Sequence, residues 1–284
     1  MAVKFVYLVQ GAAERLKKLP LPAGAVVYAL VYDQDVTFDF AKRTIFDPKC
    51  SFAAGRNQLG ELALAAEPDA DYFIFCDDDI EFNAGSFVEF ERLVERSRPK
   101  MATPLSQKTR GYGAVDYEVE IQTAIVVDEQ LVAIHRSAAA TEGVWPLTTE
   151  FDDVSWWLPC QIFEYLALRT FGRHFHQYNK IIVENDVHTW QTGSTNYTLA
   201  PNQKRVPLLT EPLLKQYLHR RNIDYNPTVL RPWPLRHWRL RWLGRTRQHR
   251  KKLALSRTYE SIPDPADRRH DRRGSGEQAA GPKI

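Results

Sequence analysis

Apolar runs and helical segments alternate along the first hundred residues of the chain. The runs are short, rich in β-branched and aromatic residues, and bounded by polar residues or prolines, which is typical of buried strands. They lie at 3–9, 25–32 and 72–76. Segments of helix-forming residues separate them, at 14–19 and 51–66. Strands that alternate with helices predict an α/β fold with a mostly parallel central sheet flanked by helices.

The pattern continues with less regularity toward residue 190. An amphipathic segment at 87–96 predicts a helix, and 101–105 predicts an extended segment. Two apolar runs, at 122–127 and 131–136, predict a hairpin around the polar residues between them. A further short strand is expected at 180–183, just before His188.

The strand predicted at 72–76 ends in the acids Asp77, Asp78 and Asp79, with Glu81 two residues later. Ligands of open α/β sheets bind outside the carboxyl ends of such strands. Four clustered acids repel one another unless a cation or exposure to water compensates, and carboxylate oxygens suit Mg²⁺, Mn²⁺ or Ca²⁺. The sequence therefore favours a metal site here, and a solvated acidic turn is the alternative.

Upstream of this strand, the helix is expected to begin near Gly55, Arg56 and Asn57. A helix N-terminus offers backbone N–H groups, and Arg56 would add a guanidinium, so the two together would suit a phosphate or a sugar.

The segments Gly55–Asn57 and Asp71–Asp79 together resemble the core of the GT-A glycosyltransferases. In that family a DxD motif holds a divalent cation under the diphosphate of a nucleotide-sugar. The resemblance covers the layout of about the first 190 residues. It implies a UDP- or GDP-linked donor, Mn²⁺ or Mg²⁺ as cofactor, and a glycan or lipid-linked acceptor. It assigns donor contacts and metal ligands as follows: Asp33, Arg56, Asp77 and Asp78 to the donor, and Asp77, Asp79 and His188 to the metal.

Two of these assignments, and one further pair of acids, have structural alternatives. Asp33, at the end of the second predicted strand, would equally serve as a turn residue. A single histidine such as His188 is often a hydrogen-bonded structural residue. Asp152 and Asp153 precede an apolar segment beside Trp156 and Trp157, where acids would also stabilise a helix N-terminus.

In inverting members of the family an acidic pair at this point supplies the general base. The resemblance then makes Asp153 the first choice for the base and Asp152 the second. Because the family's pair is often Glu-Asp and this chain has Asp-Asp, the stereochemistry stays open, and a retaining enzyme would need no such base.

Composition limits the other possibilities. The 284 residues, 44% of them hydrophobic, suffice for one large core, expected over 1–226. Three cysteines without metal-type spacing predict a reducing compartment. The sequence has neither a signal-peptide pattern nor an 18-residue apolar segment, so a cytoplasmic protein is expected.

A basic extension follows this domain at 227–260, and a polar stretch at 261–284 is expected to be disordered. Residues 231–252 contain nine Lys or Arg and no acid, with Trp238 and Trp242 among them, whereas residues 1–230 are net acidic. Such a segment suits an anionic membrane surface, or else packs its tryptophans on the acidic body.

We therefore expect a metal-dependent glycosyltransferase that attaches peripherally to a membrane. One alternative is a metal-dependent nucleotidyl- or phosphotransferase that uses Asp77 and Asp79. Another is a nucleic-acid-binding protein that uses the basic extension, although the acidic body argues against nucleic acid as the main partner.

Overall fold

The structure is a computed structural model, and it describes residues 2–106, 115–125, 127, 129–139, 141, 144–152, 157–185 and 206–229. The strands of this part of the chain are β1 Phe5–Gly11, β2 Val26–Val31, β3 Arg43–Phe46, β4 Tyr72–Asp77, β5 Ile80–Ala84, β6 Met101–Ser106, β7 Ile121–Thr123, β8 Leu131–His135 and β9 Phe175–Asn185. Its helices are α1 Ala13–Leu16, α2 Phe52–Ala66, α3 Phe87–Ser97, α4 Arg136–Ala139, α5 Trp157–Phe171 and α6 Val206–Arg220.

All nine strands belong to one sheet, in the order β3-β2-β1-β4-β8-β6-β9-β5, with β7 paired to β9. The strands β3, β2, β1 and β4 run parallel to one another. Beyond β4 the sheet is mixed, because β8 is antiparallel to both β4 and β6, whereas β6 and β9 are parallel. The predicted α/β class with helices around a central sheet is confirmed.

Apolar side chains pack on both faces of the parallel strands. Along β4, Phe73 and Phe75 point to the face that α2 and α5 cover, and Ile74 and Cys76 point to the face that α1 and α3 cover. Successive strand residues face opposite sides, so a continuous apolar run is what a strand covered on both faces requires.

The helix α2 begins earlier than the sequence predicted. Ser51 is its N-cap, with its hydroxyl accepting a hydrogen bond from the Ala54 N–H at 3.0 Å, and the first helical residue is Phe52. The expected start near Gly55 was wrong by about one turn, because Ser51 supplies the cap that a start at Gly55 would lack. Arg56 therefore lies inside the helix and is buried.

Glycine lets α2 approach its neighbours closely. A Cβ at Gly60 would lie 1.6 Å from the Trp145 ring, so the indole packs directly on the helix backbone. Asn57, one turn earlier, accepts hydrogen bonds from the Trp145 indole N–H and the Leu147 N–H and donates one to the Leu147 carbonyl. These contacts fix the segment that leads to Asp152.

The predicted hairpin between 122–127 and 131–136 was wrong. The strand β7 is shorter than predicted and pairs with β9, while β8 lies between β4 and β6. The buried Asn179 of β9 explains this arrangement, because its amide donates hydrogen bonds to the Asp116 and Val119 carbonyls and the Gln122 side chain. A buried amide needs such partners, and the segment 116–122 supplies them when β7 pairs with β9.

In the described part of the chain, no helix combines the length and the apolar character needed to span a bilayer. The segment predicted to bind anionic membranes, 231–252, lies outside the described residues, as does the stretch 261–284.

A buried carboxylate, Glu67, joins the C-terminal end of α2 to the first two strands. It accepts hydrogen bonds from Lys4 at 2.9 Å and from the Tyr28 hydroxyl at 2.9 Å, and it pairs with Lys42. These partners, the Lys42 hydrogen bond first among them, lower the pKa of Glu67 to about 2.

We expect Glu67→Gln to destabilise the protein by about 1–3 kcal/mol at neutral pH. Because the folded-state pKa lies below that of the unfolded chain, this contribution is complete above about pH 4.5 and is lost as the pH falls toward 2. Urea unfolding of both proteins at pH 7, 5 and 3 measures it. The exposed helix residue Glu61 supplies the control, Glu61→Gln, for which we expect a change under about 0.5 kcal/mol. A pH-independent difference for Glu67→Gln would contradict the assignment.

Candidate active site at the carboxyl edge of the sheet

The strand order reverses at β1. From β1 the chain crosses to β2 on one side, and from β3 it crosses over to β4 on the other side of β1. The crossover helices α1 and α2 consequently lie on opposite faces of the sheet. Such a reversal leaves a crevice at the carboxyl ends of the two central strands, which is where open α/β sheets bind ligands. Here the crevice lies between Gln10 and Asp77, which are register partners.

Asp77, the last residue of β4, forms an ion pair with Arg56. The Asp77 Oδ1 and Arg56 Nη2 atoms are 2.5 Å apart, and the same nitrogen donates to the Glu129 carbonyl at 2.8 Å. The guanidinium also lies over the rings of Phe52 and Phe75. Only 4% of the Arg56 side chain is exposed, against 23% for Asp77. In the structure Arg56 contacts Asp77, and the donor contact that the resemblance implies for Arg56 stays a prediction.

Asp78 folds back over the end of β1. Its Oδ2 accepts a hydrogen bond from the Ala12 N–H at 2.6 Å, and its Oδ1 lies 4.0 Å from Arg15 Nη1. A Cβ at Gly11 would lie only 2.0 Å from the Asp78 Cβ atom, so this position must be glycine for the carboxylate to reach Ala12.

Asp79 is half-buried next to the other two acids. Burial, and then the negative charges of Asp77 and Asp78, raise its pKa to about 7. A carboxyl group with these neighbours is stabilised in its charged form when a cation binds close to it.

Asp33 lies beyond the end of β2, in the same region. Its Oδ1 accepts a hydrogen bond from the Ala13 N–H, the first residue of α1, at 2.9 Å. Asp33 thus has the local structural role that the sequence left open as an alternative. The residue is exposed, so a contact of its carboxylate with a ligand stays a prediction.

Asp152 reaches the same edge from a distant part of the chain. Its Oδ2 accepts a hydrogen bond from the hydroxyl of Ser51, the N-cap of α2. The Gln10 amide approaches the Ser51 carbonyl at 3.5 Å. Asp153 and His188 lie outside the described residues, so their predicted roles stay predictions.

The acids at this edge supply some, but not all, of the ligands that a hard divalent cation requires. Mg²⁺ is often held by one or two carboxylates together with water and substrate phosphates, and Asp77 and Asp79 supply that number. Within the described ranges, no group of three or more His, Cys, Asp or Glu side chains is arranged to hold a metal. The predicted third ligand, His188, belongs to the chain outside those ranges.

The contacts that arrange the acids were not predicted from the sequence. Gly11 makes room for Asp78, the Ala12 N–H binds it, and Ser51 connects Asp152 to α2. A Gly at a strand end and a Ser before a helix are detectable signals, but Asp78 lies 66 residues from Ala12 and Asp152 lies 101 residues from Ser51 in sequence.

No protein-family model matches the sequence, and no curated protein matches it. Solved structures show distant similarity. S. aureus TarS 1-349 aligns with 94% of this chain and 83% of its own at 11% identity and a TM-score of 0.49. A197 from STIV aligns over 66% and 87% at 10% identity and a TM-score of 0.41. GalNAc-T7, crystallised with UDP, GalNAc and Mn²⁺, aligns over 78% and 55% at 11% identity and a TM-score of 0.42. Scores this low do not identify the function of the chain.

The Arg56–Asp77 pair yields a test of the site's architecture. We expect Arg56→Met to destabilise the protein by about 2–4 kcal/mol, because it leaves a partly buried carboxylate without its guanidinium. Adding Asp77→Asn should recover part of that loss, and a double-mutant cycle of urea unfolding curves measures the coupling, expected to exceed about 1 kcal/mol.

The matched control for this cycle is Arg92→Met. Arg92 pairs with Glu120 at 3.7 Å on the surface, with 56% of its side chain exposed, so its loss should cost under about 1 kcal/mol. Additive effects of Arg56→Met and Asp77→Asn would show that the pair does not stabilise the edge.

Proposed function

We propose that the protein is a metal-dependent glycosyltransferase that takes its sugar from a UDP- or GDP-linked donor. The observation that carries the proposal is the convergence of Asp77, Asp78 and Asp79 with Gly11 at the crevice between β1 and β4. The resemblance of this segment to the DxD motif supports the reaction class. The similarity to solved structures does not support the proposal, because the TM-scores are below 0.5.

In this proposal the acids have different roles in binding the metal and the donor. Asp79 and Asp77 bind the divalent cation, and His188 completes the set. Arg56 acts as a positioning residue, because its buried guanidinium fixes the carboxylate of Asp77. When bound, the cation would supply Lewis-acid stabilisation of the leaving nucleoside diphosphate. Asp78 shapes the floor of the donor site and is itself held by the Ala12 N–H.

The proposed general base belongs to the Asp152–Asp153 pair. Asp152 accepts a hydrogen bond from the hydroxyl of Ser51, the N-cap of α2. A carboxylate that already serves as a hydrogen-bond acceptor of a capping residue has a structural role, which supports Asp153 as the base. It would take the proton of the acceptor hydroxyl as the new glycosidic bond forms, with inversion at the sugar carbon.

We expect Asp79→Asn to abolish Mn²⁺-dependent binding of UDP and GDP while the fold persists, because a strand-end acid contributes little to packing. Isothermal titration calorimetry with and without Mn²⁺ measures the binding, and circular dichroism verifies the fold. The control Asp69→Asn removes an equal charge at an exposed position at the opposite edge of the sheet and should leave binding unchanged. Metal-dependent affinity that survives in folded Asp79→Asn would falsify the metal assignment.

We expect Asp153→Asn to keep donor affinity and to lower turnover by about 10²–10⁴-fold, the usual contribution of a positioned base. Hydrolysis of UDP- and GDP-sugars with Mn²⁺ provides the assay. Glu150→Gln is the control, since this exposed acid of the same segment pairs with Arg220. Loss of turnover in Asp152→Asn instead would exchange the two roles, and full activity of both variants would exclude a base in this pair.

A further inference from the structure

A cleft of about 560 Å³ adjoins the candidate active site. Asp78 and Asp79 line it together with residues 80–82 of β5, with Arg15 of α1 and with residues 18–20 after that helix. The cleft therefore shares Asp78 and Asp79 with the proposed donor and metal site.

Two cations from the α1 region line this cleft. Arg15 lies at its acidic end, with Nη1 4.0 Å from the Asp78 carboxylate, and Lys18 follows three residues later. Both side chains are exposed. In the described part of the chain, Lys18 has no carboxylate within ion-pair distance. Lys17, the cation between them, pairs with Glu14 and does not line the cleft.

The remainder of the lining is largely apolar. Its apolar residues include Leu19, Ile80 and Phe82. Ile80 and Phe82 also pack on the core between α1 and α3. A surface with cations near one end and apolar side chains along its walls is complementary to a ligand with an anionic group and an apolar or ring-shaped part.

We propose that this cleft binds a phosphate group through Arg15 and Lys18, directly beside Asp79. The inference rests on the proposed function. The Asp78 carboxylate accepts a hydrogen bond from the Ala12 N–H, and the proposed cation compensates Asp79. The other charges of the cleft are then the carboxylates of Asp78 and Glu81 and the cations Arg15 and Lys18, so an anionic ligand meets no excess of negative charge. A guanidinium and an ammonium next to each other are a common arrangement for a phosphate.

Two substrates could supply that phosphate. One is the donor, through its diphosphate. The other is a lipid-linked acceptor, through a phosphate that carries an apolar chain along Leu19, Ile80 and Phe82. The chemistry that Arg15 and Lys18 recognise is the same in both.

The experiment compares Arg15→Gln and Lys18→Gln with the control Lys17→Gln by calorimetry in Mn²⁺. One arm titrates UDP and GDP, with uridine and guanosine as phosphate-free partners. The second arm titrates farnesyl phosphate, with farnesol as its phosphate-free partner. We expect each test variant to weaken one phosphate ligand about tenfold and to leave the phosphate-free partner and the control unchanged.

A loss confined to UDP or GDP assigns the cleft to the donor diphosphate, and a loss confined to farnesyl phosphate assigns it to the acceptor. Equal affinities in Arg15→Gln, Lys18→Gln and Lys17→Gln would overturn the inference while leaving the proposed function intact. If the wild-type protein bound farnesyl phosphate but no nucleoside diphosphate, the proposed function would fail and the cleft would still be a phosphate site. Binding of neither class of ligand would overturn both.

Discussion

The buried ion pair between Arg56 and Asp77 is the interaction on which the geometry of the site depends. A guanidinium with 4% exposure is costly to bury unless it is paired with an opposite charge and hydrogen-bonded. Here the Asp77 carboxylate, the Glu129 carbonyl and the faces of Phe52 and Phe75 provide that compensation. The pair joins the N-terminal part of α2 to the last residue of β4, so the position of the helix and the direction of the carboxylate are determined together.

The same helix is held at its other end by a second buried charge. Glu67 connects the C-terminal end of α2 to Lys4, just before β1, and to Tyr28 of β2, and its main-chain carbonyl accepts a hydrogen bond from Arg136 beyond β8. With charged contacts at both ends and Gly60 packed directly on Trp145, α2 has little freedom to slide along the sheet. The crevice at the carboxyl edge therefore has a rigid wall, which suits the proposed site for a nucleotide-sugar and a metal.

Each acid of the Asp77–Asp79 run has a different environment. Asp77 is paired with a buried guanidinium, Asp78 with a backbone N–H and the more distant Arg15, and Asp79 has its pKa raised by burial and by its two neighbours. The electrostatic cost of placing three acids together therefore falls mainly on Asp79, and it is there that a bound cation would lower the free energy most. A solvated acidic turn, the alternative that the sequence allowed, would not bury these groups to this degree.

Local patterns determined a large part of this protein without tertiary information. The apolar runs predicted β1, β2 and β4 as strands buried on both faces, and the acids after Cys76 marked the edge where a site would form, because strand periodicity and strand-end chemistry are properties of neighbouring residues. Tertiary structure alone decided which groups each acid meets. Arg56 was expected at a helix N-terminus facing a ligand, but the cap at Ser51 moves the helix start one turn back, and the side chain then packs against Asp77. The partners of Asp78, Asp152 and Asn179 are likewise 57 to 101 residues away in sequence. Contacts over such separations depend on how the strands are ordered in the sheet, and no local pattern contains that order.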